Sequence, residues 1–282
     1  MEVVILPDPA ACARYAARVV ASVLAERPGA ALGVAAGSTM EPLYAELARL
    51  QREGALDLSR AELFLLDEWA GVDGSHPASF ERFVRERLLA PAGLARERLR
   101  APRGEGAEIP AACASYERAI REAGGIDLQL LGLGVDGHLG FNEPGSSLAS
   151  RTRLKTLTAE TAARSTPLFG REEDVPRHVL TMGLGTILES RAALLLAFGE
   201  AKAAAAAAAV EGPLTASVPA SALQLHPRAL AVLDEAAGSR LLRGVYYRSV
   251  LERKPAWQRP PELSSARTRT DNPPVRPGGV RR

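Results

Sequence analysis

Residues 136–155 read DGHLGFNEPGSSLASRTRLK and follow directly on the apolar run IDLQLLGLG. Asp136, His138 and Glu143 have the spacing D-x-H-x4-E, with Gly134, Gly137 and Gly140 allowing the backbone to turn tightly. Carboxylates beside an imidazole fix which ring nitrogen carries the proton, and this suits the ring to proton transfer near neutral pH. A turn that is merely polar is the plain alternative. Three titratable groups within eight residues, directly after a strand, favour chemistry. No second histidine or cysteine lies nearby, so metal binding ranks well below acid–base work.

A second acidic pair, Asp67 and Glu68, ends the run ELFLL. A carboxyl at the carboxyl end of a strand, backed by apolar residues and Trp69, is held back from ionising and can act as a base toward a carbon acid. For either residue the alternative is a solvated acid that caps a turn. Gly37-Ser38-Thr39 stands between a strand and a helix, where free N–H groups, two hydroxyls and the helix dipole favour an anion. Ser and Thr before a helix are, however, often simple N-caps. Lys202 sharpens the anion reading. It lies three residues after Gly199 at the start of an alanine helix, where a cation opposes the dipole and a bound phosphate would resolve the conflict. Ser146, Ser147, Arg151, Arg153 and Lys155 crowd the segment SSLASRTRLK, and alternation places Arg151, Arg153 and Lys155 on one face of an extended stretch. That face is either a second anion site or a solvated basic edge strand.

Composition adds a clue about the lysines. Of the 35 basic residues only Lys155, Lys202 and Lys254 are not arginine. Where arginine has displaced nearly every lysine, a retained one is a candidate for a compact point charge that a guanidinium cannot mimic; Lys254, in a terminal polar stretch, reads as chance retention. The formal net charge is +2, so no global field points to nucleic acid or to an anionic membrane, and anion recognition has to be local. Cys12 and Cys113 sit far apart in alanine-rich helical patterns, which argues against a disulfide scaffold and fits a reducing cytoplasm. The start MEVVILPDPA lacks the pattern of a signal peptide, and no run approaches the roughly 18 apolar residues of a membrane span.

The elements that must position these groups follow from periodicity. Strands are expected at VVILP (3–7), ALGVA (31–35), ELFLLDE (62–68), IDLQLLGLG (126–134), RHVLTMG, RAALLLAFG and ALAVLDEAAG, with helical patterns between most of them. The run AKAAAAAAAV reads as a surface helix. The chain is therefore expected to form one α/β catalytic domain over residues 1–259, a three-layer, largely parallel open sheet of Rossmann-like type with helices on both faces, followed by a disordered Pro/Arg-rich tail at 260–282. Ligands of such sheets sit beyond the carboxyl ends of the strands. All the candidate groups follow strands, so they are expected to meet in a single crevice.

The block LGLGVDGHLGFNEPGSSLASRTRLKTL resembles the signature of glucosamine-6-phosphate deaminases. LLDEWAGVDGSHPASF, HVLTMGLGTILES, GEAKA with AAVEG, and ALQLHPRALAVLDE are similar to further blocks of that family, in the same order, over roughly residues 1–252. The related 6-phosphogluconolactonases share the fold and a D-G-H turn but not the following F-N-E-P with S-S-L-A-S-R-T-R. The resemblance implies a sugar-phosphate isomerase type of fold and conversion of glucosamine 6-phosphate and water into fructose 6-phosphate and ammonia, in amino-sugar catabolism, without an organic cofactor. It implies that His138 moves a proton at the ring oxygen as the pyranose opens, with Asp136 and Glu143 orienting it. Asp67 would carry the C2 proton to C1, and Gly37, Ser38, Thr39 and Lys202 would hold the substrate phosphate. In allosteric members a second phosphate site, for N-acetylglucosamine 6-phosphate between subunits of a hexamer, uses positions matching Ser146, Arg153, Lys155 and Tyr246; other members are monomers.

The chain departs from the family pattern at several positions. Pro167 stands where the family has an arginine that grips the substrate phosphate, and Arg164, three residues earlier, is the expected substitute. Ser38-Thr39-Met40 replaces the usual G-T-P, Trp69 a tyrosine and Gly140 an alanine. Two other readings stand beside the deaminase: a 6-phosphogluconolactonase-type hydrolase, and a sugar-phosphate-binding regulator without turnover.

Overall fold

The computed structural model describes residues 1–263. Ten strands form in chain order: β1 (Glu2–Leu6), β2 (Ala31–Val34), β3 (Glu62–Leu65), β4 (Asp67–Trp69), β5 (Leu99–Arg100), β6 (Leu128–Gly132), β7 (Arg153–Thr156), β8 (His178–Thr181), β9 (Ala193–Ala197) and β10 (Ala229–Asp234). Seven build one parallel sheet in the order β1-β10-β9-β6-β2-β3-β5, with helices around it. Strands β2 and β9 are buried along their whole length, as expected of parallel strands covered on both faces. Asp8 starts the first helix, Pro9–Glu26, by accepting the Ala11 N–H at 2.7 Å, with Pro9 in the first helical turn where its missing N–H costs nothing.

The strand order places the site. From β2 the sheet grows one way through β3 and β5, then resumes on the other side of β2 with β6, β9 and β10. The reversal falls between β2 and β6, and the segments leaving those two strands part there and open a crevice. Gly37-Ser38-Thr39 follows β2 and the D-x-H loop follows β6, while the neighbours β3 and β9 lead to Asp67 and Lys202.

Two expectations about strands need correction. ELFLLDE is not one strand. It leaves the main sheet at Leu66, whose N–H still reaches the Val34 carbonyl at 2.7 Å while its carbonyl accepts the Met182 N–H at 2.8 Å. From Asp67 the chain enters a second, antiparallel sheet of order β4-β8-β7. RHVLTMG likewise belongs to that small sheet: Val179 covers the aromatic cluster around Trp69, Leu180 packs with Ile109 and Cys113, and Met182 reaches the main core. The alanine helix, Ala203–Glu211, is less superficial than its composition suggests: Ala203, Ala205, Ala206 and Ala209 are buried, since a methyl face lets the backbone approach its neighbours closely.

The segment expected as a tail begins against the fold. Arg18 donates to the carbonyls of Pro260 and Pro261, the latter at 2.9 Å, and pairs with Glu262 at 2.6 Å. The remainder of the expected disordered stretch, 264–282, lies outside the described residues. Among the described residues no helix is long and apolar enough to cross a membrane.

Candidate active site

The four separated segments do meet. One cavity of about 270 Å³ is lined by Gly37, Ser38 and Thr39, by Asp67, by Gly134, His138 and Gly140, and by Lys202, with Leu66, Phe80 and Phe141 among its apolar walls.

Asp67 is its most buried acid. The kink at Leu66 turns its carboxyl into the cavity, and burial, followed by repulsion from Glu68, pushes its pKa up from 3.8 to about 8. Glu68 points the other way and has a structural task. Its carboxylate accepts the Trp69 N–H (2.9 Å), the Ser79 hydroxyl (2.7 Å) and the N–H groups of Phe80 (3.1 Å) and Glu81 (2.9 Å), so it caps the short helix Phe80–Val84. Trp69 lies beneath both, its indole N–H on the Ala78 carbonyl at 3.0 Å and its ring against Phe80, Phe141 and Phe169.

On the opposite side, Asp136 Oδ1 meets His138 Nδ1 at 2.6 Å and also accepts the His138 N–H at 3.1 Å. That bond places a hydrogen on Nδ1 and leaves Nε2 as the free atom of the ring. Burial alone would raise the pKa of Asp136, but the imidazole and its amide outweigh it and hold the carboxyl below its ordinary value. Glu143 does not complete the expected trio: it is buried and accepts the Thr161 hydroxyl at 2.6 Å, which ties the loop to the helix Ala159–Phe169.

A glycine makes room for the imidazole. A Cβ on Gly134 would lie 2.3–2.4 Å from Nδ1, Cε1 and Cγ of His138, so the ring rests directly on the glycine backbone. Gly134→Ala is therefore expected to push the ring out of place and lower kcat/KM by on the order of 100-fold with the fold intact by circular dichroism. Unchanged kinetics would show that the ring position is not what the reaction needs.

Lys202 ends the turn Glu200–Lys202 and precedes the alanine helix, at the cavity rim. Asp234 orders this turn by accepting the Gly199 N–H at 3.0 Å on both carboxylate oxygens. Burial, then the neighbouring Arg164 guanidinium, push the ammonium below its ordinary pKa, while Asp136 opposes the shift. Arg164 thus stands close enough to Lys202 to repel it, although its recorded partner is Glu160 at 2.5 Å, one turn back on the same helix. Among the described residues Lys202 and Lys155 have no carboxylate partner, whereas Lys254 is paired with Glu2.

The basic cluster is divided. Arg151 is committed to Glu117 (3.3 Å) and Glu189 (2.7 Å), so among the described residues its charge is already neutralised, unlike that of the other two. Arg153 donates to Asn142 Oδ1 at 2.9 Å, and Asn142 in turn donates to the carbonyls of Leu139 and Met182. The Ser146 hydroxyl is buried without a partner among the described residues. Tyr246 is not brought to this cluster: it lies on the helix Gly244–Arg253, meets the Tyr247 ring edge-on and is 62% exposed. No group of three or more His, Cys, Asp or Glu among the described residues is arranged to hold a metal ion.

Sequence reasoning missed Asn142, a buried amide that ties the loop to Met182 and Arg153, and Thr181, a buried hydroxyl at the end of β8 that accepts the Phe141 N–H at 3.2 Å. The signal for both was faint: each is an uncharged polar residue in a short run whose ionisable member, Glu143 or His178, draws the eye first.

The family model described as glucosamine-6-phosphate isomerases/6-phosphogluconolactonase matches residues 9–232. Proteins named glucosamine-6-phosphate deaminase from Streptomyces avermitilis and Arthrobacter sp. are 51% and 48% identical over 259 and 258 residues, covering 92% of this chain and 99% of each relative. Among solved structures, a monomeric glucosamine-6-phosphate deaminase superposes with a TM-score of 0.81 at 36% identity, over 85% of this chain and 100% of its own. A 6-phosphogluconolactonase from Trypanosoma brucei reaches 0.69 at 18% identity over 85% and 98%, a likeness of fold alone. With the matched stretch running from the first helix into β10 and including the D-x-H loop and Lys202, the chain belongs to the glucosamine-6-phosphate isomerase/6-phosphogluconolactonase family.

Proposed function

We propose that this chain converts glucosamine 6-phosphate and water into fructose 6-phosphate and ammonia. The observation that carries the reading is that Asp67 and His138 open onto one cavity whose rim holds the Gly37-Ser38-Thr39 turn and Lys202. The turn and Lys202, with Arg164 beside it, bind the phosphate. His138, steadied by Asp136, moves the proton that opens the pyranose ring. Asp67 takes the proton from C2 of the open-chain aldehyde; the C–H electrons form the C1–C2 double bond of an enolamine as the C1=O π pair moves onto O1, which takes up a proton, and Asp67 then returns its proton to C1 while the nitrogen gives one up. The resulting C2 imine is hydrolysed by water, which releases ammonia and leaves the ketone. A carboxyl pushed up to about 8 suits this shuttle, since it holds the proton between the two carbons and still gives it up near neutral pH. Glu143 acts on the loop through Thr161 and not on the ring directly.

The test is ammonia release on addition of glucosamine 6-phosphate, beside hydrolysis of 6-phosphogluconolactone. Ammonia without lactone hydrolysis supports the deaminase; lactone hydrolysis alone supports the esterase chemistry; neither supports a binding protein. Arg164→Ala is expected to raise KM for glucosamine 6-phosphate about tenfold, the loss of one charge-assisted contact. An unchanged KM would remove Arg164 from the phosphate site.

The same reading places N-acetylglucosamine 6-phosphate at Ser146, Arg153 and Lys155. The unpartnered Ser146 hydroxyl and the absence of a carboxylate partner for Arg153 among the described residues support an anion there. Tyr246 then reaches it only from another copy in a homo-oligomer such as a hexamer; a monomer would lack that contact. The enzyme acts in the cytoplasm as one catalytic domain, 1–259, with 260–282 appended, needs no cofactor, and has neither nucleic acid nor membrane as partner.

A further inference from the structure

The carboxyl of Asp67 receives no hydrogen bond among the described residues, and only burial and Glu68 act on it. The titratable and charged groups around it are Glu68, its chain neighbour whose carboxylate turns to the other side, the phenols of Tyr44 and Tyr116 from the helices Glu41–Arg52 and Ile109–Glu122, Arg153 beyond Thr181 on the same face of the small sheet, and His138 and Lys202 across the cavity. Both phenols are committed at 2.6 Å to carbonyls, Tyr44 to Ala35 and Tyr116 to Leu65. One nearby hydroxyl is not. Thr181 of β8 is the direct register partner of Asp67 across the antiparallel pair, so the two side chains leave the same face of the small sheet. Thr181 is wholly buried, and its oxygen accepts the Phe141 N–H at 3.2 Å. Its own hydrogen finds only the Met182 carbonyl at 3.5 Å, the outer limit of a hydrogen bond.

Gly140 shows how near the two groups are. A Cβ there would lie 2.9 Å from Thr181 Oγ1 and 3.0 Å from Asp67 Oδ2, and the residue has φ +56°, which favours glycine. Hydroxyl and carboxylate therefore converge on one point that this chain leaves free of a side chain.

We propose that Thr181 is a positioning residue for the carbon base. The Phe141 amide holds its oxygen close to the carboxyl, and when the carboxyl ionises a small movement of the two side chains toward the space above Gly140 brings the O–H from the Met182 carbonyl onto Asp67 Oδ2. The inference rests on the reading of Asp67 as the base. A hydroxyl donated to an ionised carboxylate favours the charged form, so its loss moves the acid limb of the rate profile to higher pH.

The experiment compares wild type, Thr181→Val, Thr181→Ser and Asp67→Asn across pH with glucosamine 6-phosphate, following ammonia. Thr181→Val is expected to lower kcat about tenfold, to move the acid limb up by about one pH unit and to change KM less than about threefold, while Thr181→Ser restores both rate and limb. An acid limb that stays in place in Thr181→Val, or a serine variant that behaves like valine, overturns the proposal. If Thr181→Val does not fold, Thr181→Ala against Thr181→Ser gives the same comparison. Activity surviving in Asp67→Asn would remove the base itself, whereas an inactive Asp67→Asn with an unmoved limb removes only the role of Thr181.

Discussion

Asp67→Asn is expected to lower kcat for ammonia release by roughly 1,000- to 10,000-fold while KM changes little, because an amide of the same shape fills the site but cannot take the C2 proton. Ammonia release at the wild-type rate would show that another group is the base. The pH dependence has a definite sign. Asp67 must be ionised to act, and with its pKa pushed up to about 8 the acid limb of kcat/KM is expected to rise through that region. Stability runs the other way. Below pH 3.8 the carboxyl is protonated in both the folded and unfolded chain; between 3.8 and about 8 the unfolded chain ionises while the fold resists, so wild-type stability is lost as pH rises through that window. Asp67→Asn has no such penalty. Its melting temperature is expected to exceed that of wild type by a margin that grows from pH 4 to pH 8. A constant difference across that range would show that Asp67 ionises as easily in the fold as outside it.

How much of this was legible in the sequence depended on how local the signal was. The main sheet was readable because parallel strands covered on both faces leave continuous apolar runs such as ALLLA, and their carboxyl ends locate a crevice without coordinates. The Asp136–His138 bond was equally local, since two residues and a glycine turn suffice to bring the groups together. What failed was long-range. HVLT looks like any core strand, and nothing in it says that it pairs with Asp67–Trp69 in a separate sheet. Glu143 looked like a second orienting acid because it is close in sequence, yet its partner Thr161 lies eighteen residues on, in a helix whose docking depends on the aromatic cluster around Trp69. Arg151 looked equivalent to Arg153 until Glu117 and Glu189, from distant elements, claimed it. Alternation assigns a side to a residue; it does not say what waits there.

The arginine-rich composition can be tested at the one lysine in the cavity. Lys202→Met is expected to raise KM for glucosamine 6-phosphate about 100-fold, the loss of a half-buried charge-assisted contact, with a smaller effect on kcat because the phosphate is remote from the carbons that react. Lys202→Arg keeps the charge but puts a planar fork where Arg164 already stands, so it is expected to recover no more than about a tenth of the lost affinity. Full recovery by arginine would mean that the lysine was retained by chance. A second readout does not depend on turnover. Inorganic phosphate should raise the melting temperature of wild type and not of Lys202→Met, since a ligand that binds only the fold stabilises it. Burial and Arg164 depress the ammonium's pKa, so in wild type this stabilisation should decline on the alkaline side sooner than an ordinary lysine would impose. If Lys202→Met keeps both the phosphate effect and its alkaline decline, the anion sits elsewhere and the phosphate end of the site has to be redrawn.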